Sequence, residues 1–262
     1  MIKHYLKVAF RNLVKYKTQS LVSIIGLAVG FTCFALSVLW IRYEMTYDTF
    51  HNGADRIYMV RAHYTDSPGS TSNVTPYPLA NYLQEKMPEI EAVTAFTAHY
   101  VKFRMEDTEQ EIGMIAADSV FMNFFDIQLL KGTVNFLKCD GQEVAITKEF
   151  AKRLFSKEED ALGKEVEVGR RVCKIGAIVS GWSNHSNIPY NILAPARHSP
   201  RWGSSNEQLF IRVRERTDID AFRTKMSTVC INDIEKESEL SDLLITRMSA
   251  LRYSNYVDKA DV

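Results

Sequence analysis

Leu21 to Ile41 reads LVSIIGLAVGFTCFALSVLWI, twenty-one residues without a charge. As a helix this run spans about 32 Å, enough to cross the hydrocarbon core of a bilayer. Lys3, Lys7, Arg11, Lys15 and Lys17 precede it, and no acidic residue appears before Glu44. That one-sided charge keeps the N-terminus in the cytoplasm and predicts that everything past about Tyr43 lies outside.

A secretory signal also begins basic and continues apolar, but its apolar region is usually about 7 to 15 residues long and ends at a small-residue cleavage site. Here the run closes on Leu39-Trp40-Ile41-Arg42-Tyr43. Trp40 and Tyr43 are the amphipathic aromatics that settle at a membrane interface, and Arg42 extends its charge into the headgroups. An uncleaved anchor is the expectation. Before it, Ile2, Leu6, Phe10, Leu13 and Val14 recur at helical spacing between the basic residues. Two readings fit this segment of residues 1–20: a basic amphipathic helix lying in the cytoplasmic interface, or flanking charges that only orient the anchor. Within the span, Gly26 and Gly30 form a small-xxx-small pair that would let another membrane helix approach, although glycines are frequent in membrane helices anyway.

The chain has 262 residues, so about 220 remain beyond the span, one large domain or two small ones. The first 42 residues carry six of the 32 basic side chains and none of the 32 acidic ones, leaving 26 basic against 32 acidic outside. With no basic stripe there, nucleic acid is not an expected partner. Cys33 lies in the span, and Cys139, Cys173 and Cys230 are spaced too widely for a metal or redox motif. Three small, mostly buried side chains are expected, with at most one bridge among them.

The outer part reads as α+β. A strand-like run, Ile57 to Tyr64, follows turns that Asp48 or Asn52 could cap; residues 65–75 are a polar loop; Pro76 and Pro78 open a helix that Pro88 stops. Ala92 to Met105 is extended, EDTEQE at 106–111 suits a hairpin turn, and Asp118 caps a short helix carrying Phe121, Phe124 and Phe125. Residues 132–141 read as irregular. A strand at Glu143 to Thr147, a helix at Lys148 to Phe155 and a hairpin from Gly163 to Ser180 turning at Gly169 come next. Late in the chain, a strand at Glu207 to Arg214 precedes a helix capped by Thr217 or Asp218. Phe222, Met226, Val229, Cys230 and Ile234 share its face, and Leu243 to Ala250 is the last strand. Strand, helix, strand early and again late is the order of a split β-α-β sandwich, with the middle inserted. The expected lobes are a membrane-proximal one of about 46–110 and 205–252 and an inserted one of about 111–204.

Chemistry is hard to find. LGK at Leu162 to Lys164 has Glu158 where a phosphate loop needs glycine. His4, His51, His63, His99, His185 and His198 stand singly, as surface or loop histidines do. SNHSN, Ser183 to Asn187, places serine beside histidine, but adjacency in sequence is not geometry, and turn-forming residues explain it more simply. No catalytic, cofactor-binding or metal residue is expected.

RNLVKYKTQSLVSIIGLAVG, YDTFHNGADRIYMV, DSVFMNFFDIQLLKG, VAITKEFAKRLFSKEEDALGK and SNHSNIPYNILAP, in that order, resemble the MacB/FtsX family of ABC-transporter permeases, and in particular the long permeases of Bacteroidetes-type bacteria. The likeness covers nearly the whole chain. It implies a single N-terminal membrane helix followed by a two-lobed extracytoplasmic core domain at residues 46–262, anchored in the cell inner membrane. It further implies partnership with a separate cytoplasmic ABC ATPase that uses the ATP, pairing with other permease copies as a dimer, and motion passed from membrane helices to the outer domain. Substrates in the family include peptides, antibiotics and lipoproteins. Members continue into three more membrane helices, whereas no second apolar run follows Ile41, so the expectation is an N-terminal portion of a permease; the alternative is a tethered binding module without transport.

Overall fold

The computed structural model describes residues 2–67, 69–105, 108–138, 142–155, 157–182, 185–228 and 239–253. The chain divides into two units, Met1–Thr46 and Tyr47–Val262.

The first unit is two helices, α1 (Ile2–Lys15) and α2 (Lys17–Met45). Tyr16 leaves helical geometry between them, at φ −108° and ψ 55°. The apolar run occupies the interior of α2, which is long and apolar enough to cross a membrane. Two of its hydroxyls bond within the helix, Thr32 to the Ala28 carbonyl and Ser37 to the Cys33 carbonyl at 2.8 Å each, which spares those two groups a need for water.

In the second unit the strands are β1 (Ile57–Tyr64), β2 (Thr71–Ser72), β3 (Thr75–Pro76), β4 (Ile90–Met105), β5 (Thr108–Ala117), β6 (Leu129–Gly132), β7 (Glu143–Thr147), β8 (Glu165–Val168), β9 (Arg171–Val179), β10 (Ile192–Pro195), β11 (Ser205–Val213) and β12 (Leu240–Arg247). The helices are α3 (Pro78–Lys86), α4 (Ser119–Phe124), α5 (Lys148–Leu154) and α6 (Ile219–Ser227). One sheet runs β12-β1-β11-β4-β5-β10-β7-β9-β6, with β8 bridging β4 and β9. Its first four strands alternate in direction, and α3 and α6 make the crossovers β1-α3-β4 and β11-α6-β12. This is the split β-α-β arrangement.

Pro78 occupies the first turn of α3, where its missing N–H costs nothing. Leu79 and Leu83 from α3 and Phe222 and Met226 from α6 cover Val60, Val93, Leu209 and Ile211 of the sheet. The opposite face of the same strands presents Ile57, Met59, Phe96 and Phe210 to the aromatics of α4, which Asp118 caps by accepting the Phe121 N–H at 2.9 Å. A third core collects Phe103, Ile112, Ile146, Phe150 and Ile175 under α5 and the β8–β9 hairpin, whose turn residue Gly169 takes φ +65°.

Several boundaries differ from expectation. β5 starts at Thr108, inside the run read as a turn, because its polar residues line a ribbon facing water: Arg104 pairs with Glu109 at 3.0 Å and Glu167 at 3.1 Å. Glu106 and Asp107 lie outside the described residues. Residues 129–132 pair as β6, and the last strand ends at Arg247, with Met248–Ala250 turning as a short 3-10 segment. Neither Asp48 nor Asn52 caps the turn before β1; it follows Gly53 at φ +67° and has no side-chain cap. Of the face expected for the late helix, Phe222 and Met226 are buried on α6, whereas Val229, Cys230 and Ile234 lie outside the described residues. The lobe boundary expected near residue 110 falls within the β4–β5 hairpin, and strand pairing is continuous across it.

Candidate functional site

In the first unit, Lys7, Arg11 and Lys15 recur every fourth residue and are exposed along α1, as is Lys17 at the start of α2. The side chains of Ile2, Lys3 and Leu6 lie outside the described ones. Trp40, Arg42 and Tyr43 are exposed at the other end of α2, the two rings 6.2 Å apart. Gly26 and Gly30 have open backbone: no described atom lies within 4 Å of where a Cβ would stand, apart from the helix's own neighbouring backbone.

The most elaborate polar construction lies where the chain enters the second unit. Asp48 is fully buried and has a left-handed backbone, φ +56°. Its Oδ2 accepts two bonds from Asn187, from the backbone N–H at 3.0 Å and from Nδ2 at 2.6 Å, and its own N–H donates to the His185 carbonyl at 3.2 Å. Asn187 Nδ2 also reaches the Met248 carbonyl at 3.5 Å. Burial pushes the Asp48 carboxyl above its usual range, against the opposing pull of Ser186 and Asn187. His51 stands 3.9 Å from Asp48 and is packed against Phe125 and Trp182, with ring centroids 5.1 and 4.9 Å away. Burial, with the Arg212 charge, lowers its pKa to about 4, so the ring is neutral at pH 7. Trp182 in turn donates to the Ile188 carbonyl at 2.9 Å. Tyr47 packs against His185 with the rings tilted by 46° and centroids 3.9 Å apart, and the Arg252 guanidinium lies 4.2 Å over the Tyr47 ring. Residues 47–51 are thus pinned to the loop at 185–188 and to the segment after β12.

This corrects two expectations. SNHSN is more than a turn: Asn187 and Ser186 hold a buried carboxylate, while Ser183 and Asn184 lie outside the described residues. His51 lies in the turn segment before β1, as a loop histidine, but its side chain is buried, 8% exposed, rather than on the surface. Ser186 is at hydrogen-bond reach of the Asp48 carboxylate, and the described side chains together form a set of buried and half-buried bonds that join residues 47–51 to 185–188. Sequence offered a signal only in the clustering of Asn, Asp and His; partners 139 positions apart carry no local mark of each other.

A second polar assembly joins three elements at their starts. His198 Nδ1 lies 3.3 Å from Glu207 on β11, and Nε2 lies 3.6 Å from Asp118, the cap of α4. Its ring stacks on Tyr77, which precedes α3, at 4.0 Å and nearly parallel. Burial alone would lower the His198 pKa, but the two carboxylates outweigh it and raise it to about 9. The ring is an imidazolium at neutral pH and acts as a charged clasp. Among the described residues, no group of three His, Cys, Asp or Glu is placed to hold a metal ion. Cys173 is buried, as expected, and burial raises its pKa; Cys139 and Cys230 lie outside the described residues.

Residues 20–229 match the family model of the MacB-like periplasmic core domain. Solved structures share the fold: a domain assigned to a permease protein from Porphyromonas gingivalis (TM-score 0.61, 20% identity, 75% of this chain and 92% of that one), the periplasmic region of MacB from Actinobacillus actinomycetemcomitans (0.53, 14%, 78% and 94%), and the extracellular domain of the noncanonic ABC-type transporter YknZ from Gram-positive bacteria (0.53, 15%, 72% and 99%). No curated protein sequence matches the chain.

Proposed function

Because the chain belongs to the family of MacB-like periplasmic core domains, we propose that it is the anchored outer domain of an ABC-type permease, working by mechanotransmission. α2 crosses the inner membrane with α1 cytoplasmic, and residues 47–262 stand outside, as the basic N-terminus and the interface aromatics favour. The chain carries no cofactor of its own; a separate ATPase consumes ATP, and further membrane helices supply its contact. Gly26 and Gly30 are the surface on which another membrane helix packs, and two copies of the permease assemble as a dimer.

One observation carries this reading. Asp48 and Asn187 fix the first residues after the anchor into the body of the domain, where a flexible leash would suffice for mere tethering. A pull on residue 47 is delivered to the loop at 185–188 and to Met248 without slack. The test reconstitutes the chain with the ATPase and membrane spans encoded beside it and measures ATP turnover in the assembly. Asn187→Ala should lower coupled turnover while leaving assembly intact. Turnover indifferent to the presence of the whole chain would reject the proposal and favour the tethered binding module.

A further inference from the structure

Away from the entry segment, one face of the sheet is left partly bare. Thr97 of β4, Ala116 of β5 and Ala194 of β10 are successive register partners, and His99 opposite Met114 forms the next row. Ile192, the β10 member of that second row, and Ile112 one row farther along are buried in the third core under α5 and the hairpin, whereas Thr97, Met114, Ala116 and Ala194 are only half covered and His99 is exposed. Small side chains flanked by taller walls leave a trough with a cavity volume of about 390 Å³, within the range of small-ligand sites.

Its rim is cationic. Arg170 comes from the β8–β9 turn and Arg171 from the first residue of β9, and Gly169 fixes that turn to β4 by donating to the Lys102 carbonyl at 2.7 Å. Arg197 comes from the other side, just after Ala196 donates to the Ala117 carbonyl at 3.0 Å. None of the lining residues is acidic. Guanidinium forks favour carboxylate and phosphate. β4, β5 and β10 are each paired on both sides, so an extended peptide would find no backbone partners on this floor.

We propose that this trough binds a single-chain amphiphile, its apolar tail on Met114, Ala116 and Ala194 and its anionic headgroup between Arg170, Arg171 and Arg197. The inference rests on the trough alone and stands whether or not the chain drives transport. The full chain in nanodiscs of zwitterionic lipid is titrated calorimetrically with dodecanoate, dodecyl phosphate, dodecanol, dodecyltrimethylammonium and inorganic phosphate, with empty discs subtracted. Dodecanoate or dodecyl phosphate should bind at least about tenfold tighter than the alcohol or the cation. The Arg170→Gln/Arg197→Gln protein should lose about that factor, and Ala116→Phe/Ala194→Phe should abolish binding with melting retained. Equal binding of dodecanol or the cation, or of inorganic phosphate and dodecyl phosphate, overturns the proposal. So does undiminished binding by the Ala116→Phe/Ala194→Phe protein, or by an Ala116→Phe single variant that melts like the parent.

Discussion

His51 is buried and His198 half-buried, yet the larger part of the difference in how they titrate lies in what surrounds each ring. Carboxylates of Asp118 and Glu207 flank His198 and raise it to about 9 from an ordinary 6.5. Its stabilisation is therefore complete below pH 6.5 and is lost as pH rises through about 9, a difference on the order of 3 kcal/mol. Comparing denaturant unfolding of the parent and His198→Ala proteins at pH 6.5 and 10 isolates this from lysine and tyrosine titration; a gap between them that stays constant with pH would contradict it. His51 sits among aromatics and is held neutral, with a pKa of about 4. Its contribution is present above 6.5 and lost as pH falls toward 4, while the raised carboxyl of Asp48 works the other way over acidic pH. A proton NMR titration should show the His51 ring unmoved at pH 6 and the His198 ring still charged at pH 8. Asn187→Ala removes the side-chain amide's bond to Asp48 and its contact with the Met248 carbonyl, keeps the backbone N–H bond, and leaves a buried carboxyl under-satisfied. It should cost about 1 to 3 kcal/mol in chemical unfolding, whereas a loss within 0.5 would show that water replaces the amide.

Elements with a local cause were legible in the chain. The strand-like run Ile57 to Tyr64 marks β1, alternation marks β9, Asp118 and Asp218 mark helix starts, and Gly169 marks a turn. The start of β5 was hidden because Thr108 to Glu111 has no apolar face to reveal an exposed ribbon, and β6 because its pairing with β9 is set by a partner far along the chain. Contacts between Asp48 and Asn187, or among His198, Asp118 and Glu207, depend on how the strands are ordered, and no sequence window contains both partners. The order itself brings backbones close: a Cβ at Gly113 on β5 would stand 2.5 Å from the Pro189 carbonyl oxygen. Neither is a flexible side-chain end, so one strand or the 188–190 segment must move. Gly113→Ala should destabilise by about 2 kcal/mol or more despite alanine's usual advantage over glycine in a strand. Thermal unfolding measures it, and an unchanged midpoint would mean that the segment yields freely.

At the scale of the whole molecule, the issue is whether three hydrophobic cores make three folding units. β4 argues against it. Its sixteen residues contribute Val93 and Ala95 to the first core, Phe96 to the second and Phe103 to the third, and its partners change along its length from β11 to β5 and β8. A strand cannot unpair from β8 without loosening the register that holds Phe96 against Phe210, 5.5 Å away and stacked. Residues 47–262 are large enough to bury this core without lipid, so the fragment should fold alone and unfold in one step. Two tryptophans report from different places: Trp202 packs on the first core and Trp182 on the second. Trp182→Phe and Trp202→Phe fragments, each followed by the fluorescence of the remaining tryptophan, should melt at midpoints that differ only by each variant's own stability change measured by circular dichroism. Phe150→Ala, buried in the third core where neither reporter packs, should cost about 3 to 5 kcal/mol and lower both curves together. If it lowered neither, or split the two reporters into separate transitions, the cores would be independent and β4 would be a hinge between lobes rather than the beam that joins them.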